Sequence, residues 1–141
     1  MNTAFFEKQQ KLIALFSQCR NEESKYNLII QLGRQLQTLP PQHHTLENQV
    51  QGCQSRMYLH TVKENGRLLF SVYSEALISL GLAALLVNVY NGETAETILT
   101  AAPDYLETFG LKNSLTPSRA NGLYSIHLRM KQDALKHLLA K

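Results

Sequence analysis

Leu12, Leu15, Phe16 and Cys19 recur at the spacing of one helix face, which predicts a first helix over about residues 4–18 with Cys19 buried along its apolar stripe. Asn21 is suited to cap a second helix, with Glu22 and Glu23 in its first turn. Ile29, Leu32 and Leu36 then carry an apolar face until Leu39 meets Pro40-Pro41. Residues 40–49 are polar and proline-led, as a surface connection is.

Beyond that connection the period changes. Residues 57–62 and 68–73 are rich in β-branched and aromatic side chains, and Asn65-Gly66 between them is a strong hairpin signal. Val50 is read as a third, short strand, giving a small antiparallel sheet that needs a helix on one face to be stable. Ser74 can cap the next helix, with Glu75 in its first turn, and the nearly all-round apolar run 76–90 makes that helix the centre of the core. Asn91-Gly92 ends it. Residues 94–101 and 104–109 are two short helices separated by Pro103, each opening on a capping residue. Thr116 as cap and Pro117 at the first helical position open a long last helix, with Leu123, Ile126, Met130, Ala134 and Leu138 on one face and Gly122 permitting close helix packing. The elements predict an α+β fold: two N-terminal helices, a three-stranded antiparallel sheet, a central buried helix and a long C-terminal helix.

Composition sharpens this picture. With 141 residues, 44% hydrophobic and 18% charged, the chain is expected to form a single domain over 1–141 that needs neither metal nor disulfide staples. The formal charge of +3 is too small to argue for a nucleic-acid partner. Residues 112–141 are locally basic, with Lys112, Arg119, Arg129, Lys131, Lys136 and Lys141 against Asp133, and read as a helix with a cationic solvated face. The start, from Met1 and Asn2 onward, lacks the charged and apolar regions of a secretory signal. The run 76–90 is broken by polar residues and is shorter than the roughly 20 residues that span a bilayer. A cytoplasmic protein without a membrane partner is expected.

Two cysteines without a Cys-x-x-Cys pair suggest neither a disulfide framework nor zinc. Cys19 reads as core. Cys53, in Gly52-Cys53-Gln54-Ser55 between a polar loop and a strand, is placed where a partner can reach it, and Gly52 removes a side chain that would obstruct close approach. Sulfur chemistry needs the thiolate, a minority species near neutral pH unless a cation or oriented N–H favours it; Arg56 is near in the chain and Arg119 is a candidate in space.

The run Val50-Gln51-Gly52-Cys53-Gln54-Ser55, with Leu115-Thr116-Pro117-Ser118-Arg119-Ala120-Asn121-Gly122-Leu123, resembles the SufE/CsdE family of sulfur acceptors. Lys25-Tyr26, Ile29-Ile30 and Leu32-Gly33 are similar to that family's second helix, and Gly81-Leu82 to its central helix. The resemblance implies a SufE/IscU-like fold in which Cys53 takes sulfur from the persulfide of a PLP-dependent cysteine desulfurase of the SufS/CsdA type. It further implies that the chain stimulates that enzyme and passes the sulfur to a SufB-type iron–sulfur scaffold. PLP belongs to the partner, and no cofactor or metal is expected on this chain. Gly52, Gln54, Ser55, Glu75 and Arg119 are the supporting or partner-binding candidates. Arg119 either favours an anion near the loop or holds the turn before the last helix. Glu75 either lies beside the cysteine loop, as the resemblance implies, or serves as a first-turn dipole partner.

Three rivals are distinguishable. A cysteine hydrolase pairs Cys53 with His43, His44, His60, His127 or His137, of which His43 and His44 stand just before the cysteine. A non-catalytic regulator binds a desulfurase without carrying sulfur. An iron–sulfur scaffold needs several ligands, usually cysteines, that one accessible thiol does not supply.

Overall fold

A computed structural model of the chain describes residues 3–111 and 115–140; Met1, Asn2, Lys112 and Lys141, which entered the readings above, lie outside the described residues. The elements are α1 (Thr3–Ser17), α2 (Glu22–Arg34), β1 (Met57–Glu64), β2 (Arg67–Ser74), α3 (Leu77–Tyr90), α4 (Ala95–Thr100), α5 (Tyr105–Thr108) and α6 (Pro117–Leu139).

The architecture is α+β, and α3 is its axis. Gly81 to Val87, Val89 and Tyr90 are all buried, so α3 beyond its first turn is enclosed except at Asn88, as its largely apolar sequence requires. On one side it crosses α2 with the backbones nearly touching. A Cβ on Gly33 would lie 2.7 Å from the Gly81 nitrogen, and one on Gly81 would collide with the Ile29 backbone. On another side lies the hairpin, whose buried face is formed by Met57 and Leu59 of β1 with Leu68, Phe70 and Val72 of β2. The hairpin turn is Asn65-Gly66, both at positive φ (52° and 77°), the geometry a two-residue connection needs. Phe16 of α1 stacks on Phe109 with ring centroids 4.2 Å apart, and the Tyr105 hydroxyl donates to the Leu85 carbonyl at 2.7 Å. Ile126, Met130 and Ala134 of α6 close the core on a further side.

Several sequence expectations change. The sheet has two strands, in the register Met57↔Ser74 to Glu64↔Arg67, and not three. Val50 makes a single ladder bond, its N–H donating to the Met57 carbonyl at 2.8 Å, before the left-handed Gly52 (φ 89°) turns the chain away. α2 stops at Arg34 rather than Leu39. Leu39 precedes a proline, which disfavours helical backbone, and instead lies extended with its N–H toward the Val72 carbonyl and its side chain 1% exposed.

Helix boundaries also shift. Ser74 ends β2 and α3 starts at Leu77, so Glu75 is not in the first turn of α3. Asp104 makes no side-chain cap, whereas Asn21, Thr94 and Thr116 each accept the expected backbone N–H. Cys19 lies beyond α1, half-buried and packed against the core rather than inside it. Leu138, which spacing placed on the apolar face of α6, is 46% exposed. Among the described residues no helix is long and apolar enough to cross a membrane.

Candidate functional site

The cysteine loop, residues 51–56, is pinched at its base. The Val50–Met57 bond closes it on one side, and Ser74 ties it on the other, donating from Oγ to the Arg56 carbonyl at 3.1 Å while accepting the Ala76 N–H at 3.2 Å. The serine expected to cap a helix therefore anchors the loop. Upstream, the Arg129 guanidinium of α6 spans three stretches of backbone. It donates to the carbonyls of Glu47 (2.9 Å), Gln49 (3.2 Å) and Leu59 (3.2 Å), while its Nε pairs with Asp133 at 2.9 Å. The second Asp133 oxygen accepts from the Thr61 hydroxyl at 2.7 Å. One fork thus fixes the loop's approach to the sheet, a role that a flexible ammonium does not reproduce.

Gly52 is needed twice over: its φ of 89° is left-handed, and a Cβ there would collide with the Ser125 hydroxyl of α6. The close approach it permits is made within the chain.

Cys53 is half-buried, and its thiol points at the Gly122 carbonyl, 3.9 Å away, a weak S–H···O contact. The sulfur borders a hollow of about 130 Å³. Met57, Ile78 and Leu82 supply apolar walls, Gly122 and Ile126 of α6 another, and Ser79, Ser118 and Arg119 add polar atoms. Burial pushes the thiol up from its ordinary value, because the charged form loses solvation there. Gln54 and Ser55 also border the hollow; Arg56 and Glu75 have exposed side chains and do not. The Arg119 guanidinium carbon stands 5.2 Å above the ring of Tyr26 and so couples the start of α6 to α2.

The histidines are arranged elsewhere. His43 stacks on His60 at 4.2 Å, and His44 stacks on Tyr58 and Tyr73 at 5.0 and 4.3 Å, with its Nε2 2.8 Å from the Leu39 carbonyl. Burial, then the neighbouring His43, lowers the pKa of His60. None of the five histidines borders the Cys53 hollow. A larger apolar cleft bounded by Leu86, Leu106, Leu123 and His127 does not include Cys53.

Sequence reasoning missed Arg129 and Asp133. Their spacing of four residues on α6 was a legible signal for an ion pair, but nothing local showed that the pair reaches β1 and the cysteine loop. It also assigned Gly122 to helix packing. A Cβ there would meet no atom within 4 Å, so its backbone borders open space and not a neighbouring helix.

The SufE family, described as Fe-S metabolism associated domain, matches residues 10–134. An uncharacterized SufE-like protein of Synechocystis sp. (strain ATCC 27184 / PCC 6803 / Kazusa) is 34% identical over 131 residues, 93% of this chain and 82% of that protein. The Arabidopsis thaliana SufE-like protein 1, chloroplastic/mitochondrial, is 35% identical over 135 residues, 95% of this chain but 36% of that longer protein. A solution structure of a hypothetical protein from Thermus thermophilus superposes with a TM-score of 0.77 at 24% identity, covering 94% of this chain and 97% of the other, and establishes likeness of fold.

Proposed function

This chain belongs to the SufE family of Fe-S metabolism, and on that premise we propose that it is a sulfur acceptor and carrier whose acceptor atom is Cys53 Sγ. The donor is a PLP-dependent cysteine desulfurase carrying a persulfide on its own cysteine; the PLP stays with that partner. The Cys53 thiolate attacks the outer sulfur. A new S–S bond forms at Cys53, the partner's S–S bond breaks, and the partner's thiolate leaves with the electron pair. Oxidation level is conserved overall, and one sulfur changes carrier. The desulfurase is stimulated because its thiol is regenerated, and the cargo then moves to an iron–sulfur cluster scaffold.

The observation that carries this reading is the placement of Cys53: a half-buried thiol at the tip of a loop anchored at both ends, packed against the edge of the core and hydrogen-bonded there by a weak 3.9 Å S–H···O contact. A tight base with a weakly held tip suits a thiol that is sheltered at rest and presented on docking. Shelter keeps the thiol protonated and away from oxidants; outward movement removes the desolvation that raises its pKa and restores the ordinary thiolate fraction.

Mass spectrometry after incubation with a desulfurase and free cysteine tests the proposal. The expected result is one added sulfur on the Cys53 peptide, with Cys53→Ser losing both the added sulfur and the stimulation while still docking. Stimulation by Cys53→Ser equal to that of the native chain would instead identify a regulator that carries no sulfur.

A further inference from the structure

α6 is apolar on two faces. Leu123, Ile126, Met130 and Ala134 pack on the core, whereas Tyr124, Leu128, Leu135, Leu138 and Leu139 are exposed. At about 100° per residue these exposed side chains fall within a stripe roughly 100° wide, the width a helix normally buries against a neighbour, and they run for about 22 Å. Their order is that of a heptad seam. Tyr124, Leu128, Lys131, Leu135 and Leu138 are separated by alternating steps of four and three residues, the spacing that presents knobs to a second helix. A continuous apolar stripe left in water marks an interaction surface, unlike leucines exposed singly.

The charges on this seam have one sign. Lys131 stands half-buried between Leu128 and Leu135, and its ammonium makes no ion pair or hydrogen bond among the described residues. The titratable group it acts on is His127, whose protonation it opposes. Lys136 on the flank is exposed and likewise unpaired. The acid of α6, Asp133, is buried and already held by Arg129 and Thr61.

We propose that this seam docks an amphipathic helix of a partner protein whose apolar face is bordered by carboxylates, one of them meeting Lys131. A second copy of this chain is a poor match, because two α6 seams laid together put four lysines into one interface with no free carboxylate to meet them. A lipid surface is a poor match too. Helices that lie in a membrane interface carry their lysines along the polar border, whereas Lys131 stands inside the apolar stripe, where a protein can offer it a carboxylate and a bilayer cannot. The seam also faces away from the cysteine. Gly122 and Ile126, which border the Cys53 hollow, lie two residues, about 200°, from Tyr124 and Leu128. A helix docked on the seam therefore does not compete for the thiol.

The test titrates the full chain, isotope-labelled for NMR, with two synthetic helices of about three heptads that carry Leu at the inward positions and differ only in having Glu or Lys at the flanking ones. The Glu helix is expected to shift the amides of residues 124–139 and to bind about tenfold more tightly than the Lys helix. Leu135→Gln, an exposed substitution, should lose that binding at an unchanged melting temperature, and Lys131→Glu should reverse the preference between the two helices. The rate at which iodoacetamide alkylates Cys53 should be the same with the Glu helix bound. Equal affinity for the two helices, no binding of either, or a slowed alkylation would overturn the proposal. So would dimerisation of the native chain that Leu135→Gln abolishes, which assigns the seam to a second copy, or binding to phosphatidylglycerol vesicles that the same variant loses, which assigns it to a membrane.

Discussion

Cys53 Sγ and the Gly122 carbonyl, 69 positions apart in the chain, meet at 3.9 Å, so the last helix forms the wall against which the cysteine rests. The consequence is chemical. Shielded from water, the thiol resists ionisation, so the folded protein is expected to hold less thiolate near neutral pH than its own unfolded chain. Alkylation of Cys53 by iodoacetamide at pH 7 is expected to be about 3- to 10-fold slower in the native protein than in urea. The pH profile of the native rate should be displaced upward. A native profile lying below that of the unfolded chain would show an activating cation at the sulfur and contradict the sheltered state.

Arg129 is expected to matter more for the cysteine loop than its distance in sequence suggests. Its replacement by Ala leaves the carboxylate of Asp133, a buried residue, without its cation and frees three carbonyls, at a cost of about 2–4 kcal/mol in urea denaturation. Arg129→Lys keeps the charge but lacks the fork, so it should retain part of the stability while amide exchange at Val50 accelerates. Native-like exchange at Val50 in Arg129→Lys would show that the loop base holds without the guanidinium.

Gly81 marks the tightest helix crossing in the fold. A methyl group there collides with the Ile29 backbone, which cannot rotate out of the way as a side chain could, and α2 must separate from α3. Gly81→Ala is therefore expected to destabilise by about 3 kcal/mol or more, against the helix-propensity gain that alanine brings elsewhere. A thermal melt decides it, and an unchanged Tm would mean the crossing is looser than described.

His127 ties stability to acid. Its Nε2 is buried with no hydrogen-bond partner among the described residues, and burial, followed by the charge of Lys131, lowers its pKa from 6.5 to about 4. Because the folded pKa lies below the unfolded one, the contribution is complete above about pH 6.5 and disappears as pH falls toward 4, where the unfolded chain gains a proton that the folded chain refuses. About 2 kcal/mol should be lost over that interval, less than the full shift implies because solvent still reaches part of the ring. His127→Phe removes the proton uptake, so the difference in unfolding free energy between the two chains should change with pH. A constant difference from pH 7 to 4 would place the imidazole in water.

Local signals were sufficient for much of the fold. The Asn21, Thr94 and Thr116 caps, Pro117 and the Asn65-Gly66 turn act through atoms within a few residues, and all form as the sequence predicts. The errors fall where a distant partner intervened. Leu36 and Leu39 fit a helix by spacing, yet β2 offered Leu39 a carbonyl at Val72 and the following proline disfavoured the helix. Val50 has strand character, yet the backbone turns at Gly52 after a single bond to Met57.

The same division applies to the candidate site. Cys53 could be singled out as the candidate because reactivity needs a particular atom, and a cysteine between a polar loop and a strand, in a run resembling a known family's, is visible without coordinates. The chain's membership in a sulfur-handling family was likewise readable from motifs that lie along it in order. What only the tertiary structure decided is the environment of that sulfur. The Gly122 carbonyl facing the sulfur, the Arg129 fork and the burial that raises the thiol pKa all arise when α6 packs on a loop far upstream, and such contacts depend on how elements dock. A residue's chemistry is local to its covalent structure, whereas its solvation and reach are set by whatever the fold brings beside it.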